Sequence, residues 1–290
     1  MRVRPGLLVA ATIACVAPGP VAPAAVAIGT APVTGIGAWV AAEEAEIRLV
    51  SALSAIAPDA GSVELGIHLR LSEGWRIYWR TPGAAGMPPE FDWTGSENLA
   101  SVTLRWPAPS RFEAYGQQSY GYTGEVLFPA TARLARPGEA LSLRLTLAYL
   151  ICREACMPGE AALALDLPAG AAAPTEAAAE IARHAARLPV DAAEAGVAIT
   201  ARRKPGGVTV IARSPEPLVA PDLFLEWPVE PGHRRPELPV PSVTLGEGGR
   251  EARFSVVVRP PLVRAGTPLA VTVTDGARAF AAAVLVEEGD

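Results

Sequence analysis

The chain contains few of the residues from which most catalytic sites are built. Its 290 residues include three histidines and three cysteines, and aromatic residues account for 6% of the composition. The histidines are His68, His184 and His233, and none of them lies beside a nucleophile motif. A Gly-x-Ser-x-Gly elbow, a His-Glu-x-x-His motif and a glycine-rich phosphate loop are also missing. These absences argue against a hydrolase triad, a zinc protease and a nucleotide-binding enzyme, and we expect no cofactor.

Charge and hydropathy exclude two further classes of partner or environment. The formal net charge is −5, and no basic run is interleaved with aromatic residues, so a nucleic-acid surface is not expected. Beyond the amino-terminal segment, charge or proline interrupts every apolar run within about a dozen residues, whereas a membrane helix needs about 20. The mature chain is therefore predicted to contain no membrane helix.

The amino terminus has the pattern of a secretory signal. Arg2 and Arg4 precede an apolar run at residues 7–16, and a small-residue cleavage site, Ala-Val-Ala, ends at Ala27. This pattern predicts a signal peptide over residues 1–27 that is removed on export. The protein is therefore predicted to be periplasmic.

Two cysteines four residues apart are the only concentrated chemistry in the sequence. Cys152 and Cys156 lie in the segment 148–158, Ala-Tyr-Leu-Ile-Cys-Arg-Glu-Ala-Cys-Met-Pro; Cys15 falls in the predicted signal peptide, where it could instead carry a lipid. On an extended strand, Cα atoms four residues apart are about 13 Å apart, but a disulfide needs about 4.4–6.8 Å. The pair can therefore bond only where the backbone turns, and we predict a loop or a single helical turn. Export to an oxidising compartment predicts that the two cysteines are bonded to each other.

The short spacing favours a disulfide that opens and closes over a structural one. Closing so short a loop stabilises a fold by only about 2 kcal/mol in the chain-entropy model, against about 4.7 kcal/mol for a 100-residue loop. The thiolate is the attacking species, and the neighbouring Arg153 and Glu154 have opposite effects on its formation. Because Cys152 directly follows an apolar run, we expect it to be anchored. Cys156 is then predicted to be the more reachable, attacking sulfur.

An aromatic, glycine-rich segment precedes the cysteine pair. It covers residues 115–124, Tyr-Gly-Gln-Gln-Ser-Tyr-Gly-Tyr-Thr-Gly, and its glycine content argues against a strand interior. We expect an active-site loop in which Tyr115, Tyr120 and Tyr122 cover the disulfide and exclude stray thiols. The alternative is that these tyrosines cap the end of a sandwich core.

Alternating apolar and polar residues predict an all-β fold. Residues 63–71 and 141–147 alternate with period two, and further strand patterns are separated by Pro and Gly turns. His68 falls on the polar face of its strand, and we expect it to be exposed to solvent. Because no helical pattern lies between these strands, a β-sandwich is favoured over a βαβ sheet.

The same pattern divides the chain into two β-sandwich domains. A helical pattern interrupts the strands after residue 170, and we predict a helix from Glu176 to Leu188 that ends before Pro189. The predicted organisation is a linker at residues 28–42, a first sandwich at 43–170, a helical linker at 171–190 and a second sandwich at 191–290.

Several segments of the first sandwich, taken in order, resemble one family. They are residues 74–88, 91–93, 106–107, 115–126 and 149–158. Together they resemble the amino-terminal periplasmic domain of thiol:disulfide interchange proteins of the DsbD and ScsB type, which are protein-disulfide reductases. The similarity is strong over residues 43–170 and loose over the second sandwich. It implies an immunoglobulin-like fold, so we expect two immunoglobulin-like sandwiches joined by a short helical linker.

The resemblance also implies a redox role for Cys152 and Cys156. In the family, this pair takes electrons from a membrane-embedded partner and passes them to periplasmic thioredoxin-like proteins. Full-length members continue into a membrane domain, but this sequence ends at Asp290 without one. Either a separate membrane thiol reductase is the electron donor, with thioredoxin-like periplasmic proteins as the acceptors, or the electron-delivery role has been lost; the first is the expectation.

Two other functions fit the same residues. Soft thiolates bind Cu(I), so Cys152 and Cys156 could instead hold copper(I), and the ScsB side of the resemblance is associated with copper tolerance. The pair could also be a structural disulfide in an interaction module. A reduction potential above about −300 mV would distinguish an exchange-active pair from a structural one.

Overall fold

The computed structural model describes residues 35–114, 116–227, 238–258 and 263–289. This part of the chain consists of β-strands with one α-helix and one short 3₁₀ turn, so the all-β prediction is confirmed. No helix within the described ranges is long and apolar enough to cross a membrane. The predicted signal peptide lies outside the described residues.

The strands before the helix are β1 (Val40–Ala42), β2 (Ala45–Ser51), β3 (Ser62–Leu71), β4 (Arg76–Gly83), β5 (Glu90–Asp92), β6 (Leu99–Leu104), β7 (Ser110–Ala114), β8 (Gln117–Thr123), β9 (Glu125–Leu134), β10 (Leu141–Cys152) and β11 (Cys156–Leu167). After the helix α1 (Ala177–Ala185) come β12 (Val190–Asp191), β13 (Ala198–Lys204), β14 (Gly207–Arg213), β15 (Pro221–Glu226), β16 (Ser242–Gly246), the 3₁₀ turn Glu247–Gly249, β17 (Glu251–Val257), β18 (Pro268–Asp275) and β19 (Arg278–Glu287).

The first sandwich consists of two sheets with an apolar core between them. One sheet has the strand order β1-β2-β3-β9-β6, and the other has the order β11-β10-β4-β8-β7, with β5 also paired to β10. Along β10, every second side chain from Leu141 to Ile151 is buried, and those between them are partly exposed. The period-two pattern of the sequence therefore corresponds to a core-facing and an outward-facing surface of the sheet.

The first sandwich extends beyond its predicted sequence limits at both ends. Ile36 bridges to Val50, and β1 pairs with β2, so the described part of the predicted linker belongs to the sheet. At the other end, Ala177 and Ile181 of α1 pack on Val50 and Leu127 of the first sandwich. The helix is therefore docked on this sandwich, and it is shorter than the predicted span of 176–188.

The second sandwich is a single hydrogen-bonded path of strands that doubles over. Its order is β15-β18-β19-β13-β14-β17-β16, and β12 lies parallel to β19. Two residue pairs between β13 and β19 join the two halves. Strands from both halves contribute to one apolar core, as a sandwich requires.

The two sandwiches share buried side chains. Phe224 of β15 belongs to the core of the first sandwich, where its ring centroid lies 6.1 Å from that of Trp79 and 5.1 Å from that of Tyr120. Ion pairs flank this contact, since Arg80 donates to Glu226 at 2.6 Å and Arg111 donates to Asp222 at 2.8 Å. The interface is therefore both apolar and ionic.

The prediction that His68 is exposed is wrong, because the ring is completely buried beneath α1 and Trp39. Its Nε2 lies 2.6 Å from Glu125 Oε1, and its Nδ1 lies 3.3 Å from Arg48 Nη2. A guanidinium only donates hydrogen bonds, so Nδ1 is the acceptor and Nε2 carries the proton that Glu125 accepts. Burial lowers the pKa of His68, and the ring is neutral. The helix thus covers polar side chains that the alternating sequence pattern of the strand predicts to face solvent.

We expect the free energy of unfolding to decrease as the pH falls from about 7 to about 5. In this pH range the imidazole of the unfolded chain, with a pKa near 6.5, binds a proton, whereas burial opposes protonation of the folded ring. Stability decreases as the pH falls wherever the unfolded state binds more protons than the folded state. His68→Gln keeps an N–H donor without titrating and is expected to flatten this dependence in urea unfolding at several pH values. His184→Gln, at a partly exposed helix position, is the control and is expected to flatten it less. An unchanged slope in His68→Gln would contradict the assignment.

Candidate functional site

Cys152 and Cys156 form a disulfide across the end of a β-hairpin. Cys152 is the last residue of β10, Cys156 is the first of β11, and they are directly opposed in the antiparallel register with a Cα separation of 4.1 Å. Residues 153–155 make the turn, in which the Arg153 N–H donates to the carbonyl of Ala155 at 3.1 Å. The predicted turn is therefore present, but the cysteines end its two strands and do not lie within a loop or helical turn.

Strand register places the disulfide on the outward face of the sheet. Cys152 is opposite Arg76 of β4, and the preceding pair is Ile151 with Ile77, both of which are fully buried in the core. Because side chains alternate between faces, Cys152 and Arg76 point away from the core. Tyr78, two residues after Arg76, shares this outward face.

The two sulfur atoms differ in accessibility. Cys152 is 2% exposed, whereas Cys156 is partly exposed. The difference agrees with the expectation that the end of the apolar run anchors Cys152. A partner sulfur approaching from solvent reaches Cys156 first, but the attacking role of Cys156 remains a prediction.

Tyr78 contacts the disulfide and was not identified from the sequence. Its hydroxyl donates to Cys152 Sγ at 3.1 Å and lies 3.7 Å from Cys156 Sγ. The ring is fully buried although it lies on the outward face, because Phe112 and the segment after β4 cover it. That segment approaches closely at Gly86, where a Cβ atom would lie 2.2 Å from the ring. A glycine at this point, with its φ of +97°, is what lets the chain close over Tyr78.

The predicted active-site loop is a strand, and two of its tyrosines lie in the core. Tyr120 and Tyr122 belong to β8 and point inward, where Tyr120 packs on Phe224 and Tyr122 packs on Phe128 at 5.3 Å. Burial raises the pKa of both phenols, and Tyr122 donates to a backbone carbonyl at 2.8 Å. Tyr115 lies outside the described residues.

Glycine in β8 serves close packing rather than flexibility. Gly121 is paired with Tyr78, and a Cβ atom at Gly121 would lie 1.9 Å from the carbonyl oxygen of Ile77. A glycine in a strand interior often marks such a close backbone approach. The glycine content of the segment is therefore compatible with a strand, contrary to the prediction of a loop.

Charged side chains surround the hairpin end. Arg153 and Glu154 are both exposed at the turn, and the Arg153 guanidinium lies 5.3 Å from the ring centroid of Trp75. On the outward face, the Arg76 guanidinium lies 5.0 Å from the ring centroid of Phe112. Stacking of this kind holds two positive charges near the cysteines.

A different cluster has the donor atoms of a metal site but not its electrostatics. Among the described residues, His68, Glu125 and Glu180 are the group whose donor atoms lie within 4.8 Å of one another, and neither cysteine belongs to it. Arg48 Nη2 lies 3.3 Å from Glu180 Oε2, and Arg70 pairs with Glu125 at 3.4 Å. The His68 nitrogen that faces the carboxylates carries a proton, so the cluster is a hydrogen-bonded network around one buried histidine.

Two segments of the chain match known domain families. Residues 46–168 match the family described as thiol:disulfide interchange protein DsbD, N-terminal. Residues 187–289 match a domain family of unknown function, DUF8393. No individual curated protein sequence matches the chain.

The fold matches that of a solved periplasmic domain. The crystal structure of the N-terminal periplasmic domain of ScsB from Proteus mirabilis superposes with a TM-score of 0.72 at 22% sequence identity. The match covers 88% of this chain and 100% of that one. This likeness shows the fold of both sandwiches, and the family match places a thiol–disulfide interchange domain in the first of them.

Proposed function

Because residues 46–168 form a domain of the DsbD amino-terminal family, we propose that the protein is a periplasmic thiol–disulfide carrier. It accepts electrons from a membrane-embedded thiol reductase and passes them to thioredoxin-like periplasmic proteins. The observation that carries the proposal is the position of the Cys152–Cys156 disulfide, which closes the end of a hairpin with one sulfur partly exposed. Residues 1–27, with their signal-peptide pattern, support export to the periplasm.

The proposed transfer takes two exchange steps. In the dithiol form, the Cys156 thiolate attacks one sulfur of the acceptor disulfide, and the other acceptor sulfur leaves as a thiolate that takes a proton. The Cys152 thiolate then attacks Cys156 Sγ, which releases the second acceptor thiol and restores the Cys152–Cys156 disulfide. Two electrons and two protons thereby move to the acceptor, and the membrane reductase returns them by the reverse sequence.

Tyr78 positions and stabilises the resolving sulfur in this scheme. Its hydroxyl is already 3.1 Å from Cys152 Sγ in the disulfide form. A hydrogen bond to an ionised acceptor is stronger than one to a neutral acceptor. The same contact therefore favours the thiolate of Cys152, and with it the reduced form of the protein.

The reduction potential tests this proposal. We expect a value above about −300 mV in glutathione redox buffers, since structural disulfides lie below that value. Tyr78→Phe is expected to lower the potential by about 30 mV, which corresponds to about 1.4 kcal/mol for a two-electron couple. Tyr149→Phe is the matched control, because the Tyr149 hydroxyl donates to the carbonyl of Ala42 at 2.5 Å instead of to a sulfur.

Electron transfer itself is the second readout. The reduced protein is mixed with an oxidised periplasmic thioredoxin-like protein, and the redox state of both is followed by thiol alkylation. A potential below about −300 mV, together with no transfer, would leave a structural disulfide as the better description.

A further inference from the structure

Two carboxylates lie on the same outward face as the disulfide. Ala148 of β10 is opposite Glu90 of β5 on one side and opposite Glu160 of β11 on the other. Directly opposed residues on neighbouring strands point to the same face, and Ala148 has the same parity as Cys152. Ala148 and Cys152 are four residues apart along β10, so the row of carboxylates opposite Ala148 lies about 13 Å from the disulfide.

An open groove contains these carboxylates. Its volume is about 410 Å³, and its lining includes Glu43, Met87, Glu90, Tyr149 and Glu160. Met87 is 57% exposed. Gly159 lets the Tyr149 ring lie against the backbone, since a Cβ atom there would be 2.5 Å from the ring. Pro158, two residues after Cys156, also lines the groove and connects it to the disulfide.

The groove combines an apolar surface with uncompensated negative charge. Three carboxylates line it, and no Arg, Lys or His is among its described lining residues. The apolar part comes from Met87, Pro88, Tyr149 and Pro158. Such a surface complements a segment that carries a Lys or Arg side chain, whose aliphatic stem covers apolar atoms while its charge meets the carboxylates.

A redox partner must cover this surface. Exchange requires contact between sulfur atoms, so the partner docks directly over Cys156. A standard protein interface buries about 800 Å² on each partner, equivalent to a disc of about 16 Å radius, and the carboxylate row lies within that distance of the disulfide. A partner that places no positive charge there leaves buried carboxylates unpaired, which is unfavourable.

We propose that this groove docks a basic, Lys- or Arg-bearing segment of the partner, next to the partner's own reactive cysteines. The inference rests on the proposed carrier function, and it specifies that the docking surface of the partner is positively charged. It assigns Glu90 and Glu160 to partner selection, with no part in the exchange of bonds.

Two synthetic peptides test the charge preference. Each has one cysteine in a mixed disulfide with 2-thiopyridine, and they differ only in having Lys or Glu at the fourth residue on each side of the cysteine, which in an extended peptide places the charge about 13 Å from the reacting sulfur. The reduced protein attacks the peptide sulfur, 2-thiopyridone leaves with a proton and is followed by absorbance, and the second cysteine then releases the peptide as a thiol. We expect the Lys peptide to react about tenfold faster at low ionic strength, with the difference falling in about 0.5 M salt.

Variants separate docking from the intrinsic reactivity of the peptides. The Lys-to-Glu rate ratio is expected to fall severalfold in the double variant Glu90→Gln/Glu160→Gln and to invert in Glu90→Lys/Glu160→Lys. Glu194→Gln removes one exposed carboxylate from the turn between β12 and β13 of the second sandwich and is expected to leave the ratio unchanged. A ratio that is the same in the wild type and both double variants would overturn the inference.

A neutral disulfide distinguishes this failure from failure of the proposed function. All variants are expected to react with 2,2′-dithiodipyridine at the wild-type rate, because it has no charge for the groove to recognise. Normal reaction with this reagent and no charge preference among peptides would remove the docking inference alone. No reaction of the reduced wild type with this reagent would overturn the carrier function, and the docking inference with it.

Discussion

Replacing Cys156 with serine is expected to abolish electron transfer, whereas replacing Cys152 with serine is expected to stop it after the first step. In Cys152→Ser the partly exposed Cys156 still attacks, but no second thiol is present to resolve the mixed disulfide. This variant is therefore expected to accumulate covalent complexes with its partners, which non-reducing electrophoresis detects. Cys156→Ser is expected to form few complexes, because its remaining sulfur is 2% exposed.

Alkylation of the two reduced single-cysteine variants measures the roles directly. The variant that retains Cys156 is expected to react severalfold faster with iodoacetamide than the variant that retains Cys152, across several pH values. Denatured samples of both variants are the control, because burial no longer separates the two thiols once the chain unfolds. Equal rates in the native state, or a faster Cys152, would reverse the assignment of the attacking and resolving sulfurs.

Phe224→Ala is expected to destabilise the protein by about 3–5 kcal/mol, the usual range for removing a buried phenylalanine. The ring is 1% exposed and packs on Trp79 and Tyr120 of the other sandwich. Its loss leaves a cavity inside the first sandwich although the residue belongs to a strand of the second. Urea unfolding followed by tryptophan fluorescence measures the effect.

Phe254→Ala is the matched control for this prediction. Phe254 is fully buried within the core of the second sandwich, so its loss is expected to destabilise that sandwich while leaving the surroundings of Trp79 unchanged. The native-state fluorescence spectrum separates the two variants, because only Phe224→Ala removes a neighbour of Trp79. Equal native spectra together with a small loss of stability in Phe224→Ala would contradict a shared core.

The same contact bears on whether the first sandwich folds alone. Separability near residues 170–190 remains a prediction, and a chain that ends at Pro189 lacks Phe224 and the two acidic partners of Arg80 and Arg111. We expect such a chain to fold and to keep its disulfide, with a stability below that of the full chain. Aggregation of the truncated chain alone would show that the shared interface is essential.

The sequence by itself determined the class of fold and the chemistry of the site. Period-two alternation in residues such as 63–71 and 141–147 identified strands, because it reflects the local geometry of a pleated chain. The spacing of Cys152 and Cys156, together with an export signal, required a turn and favoured a bond between them. These conclusions depend on residues that are close together in the sequence, and the local sequence pattern contains this information.

Only the tertiary structure decided which surfaces the individual side chains occupy. Tyr78 meets the disulfide because β4 pairs with β10 in one particular register. Tyr120 faces the core because it is next in the chain to Gly121, which is paired with the outward-facing Tyr78. The alternating pattern assigns His68 to the solvent-facing side of its strand, yet a helix more than 100 positions later in the chain covers it. Phe224 belongs to a strand of the second sandwich but packs in the core of the first. A shift of one residue in register reverses the face of every side chain. Pairing between distant strands is set by the whole packed structure, so the local pattern around each residue does not contain it.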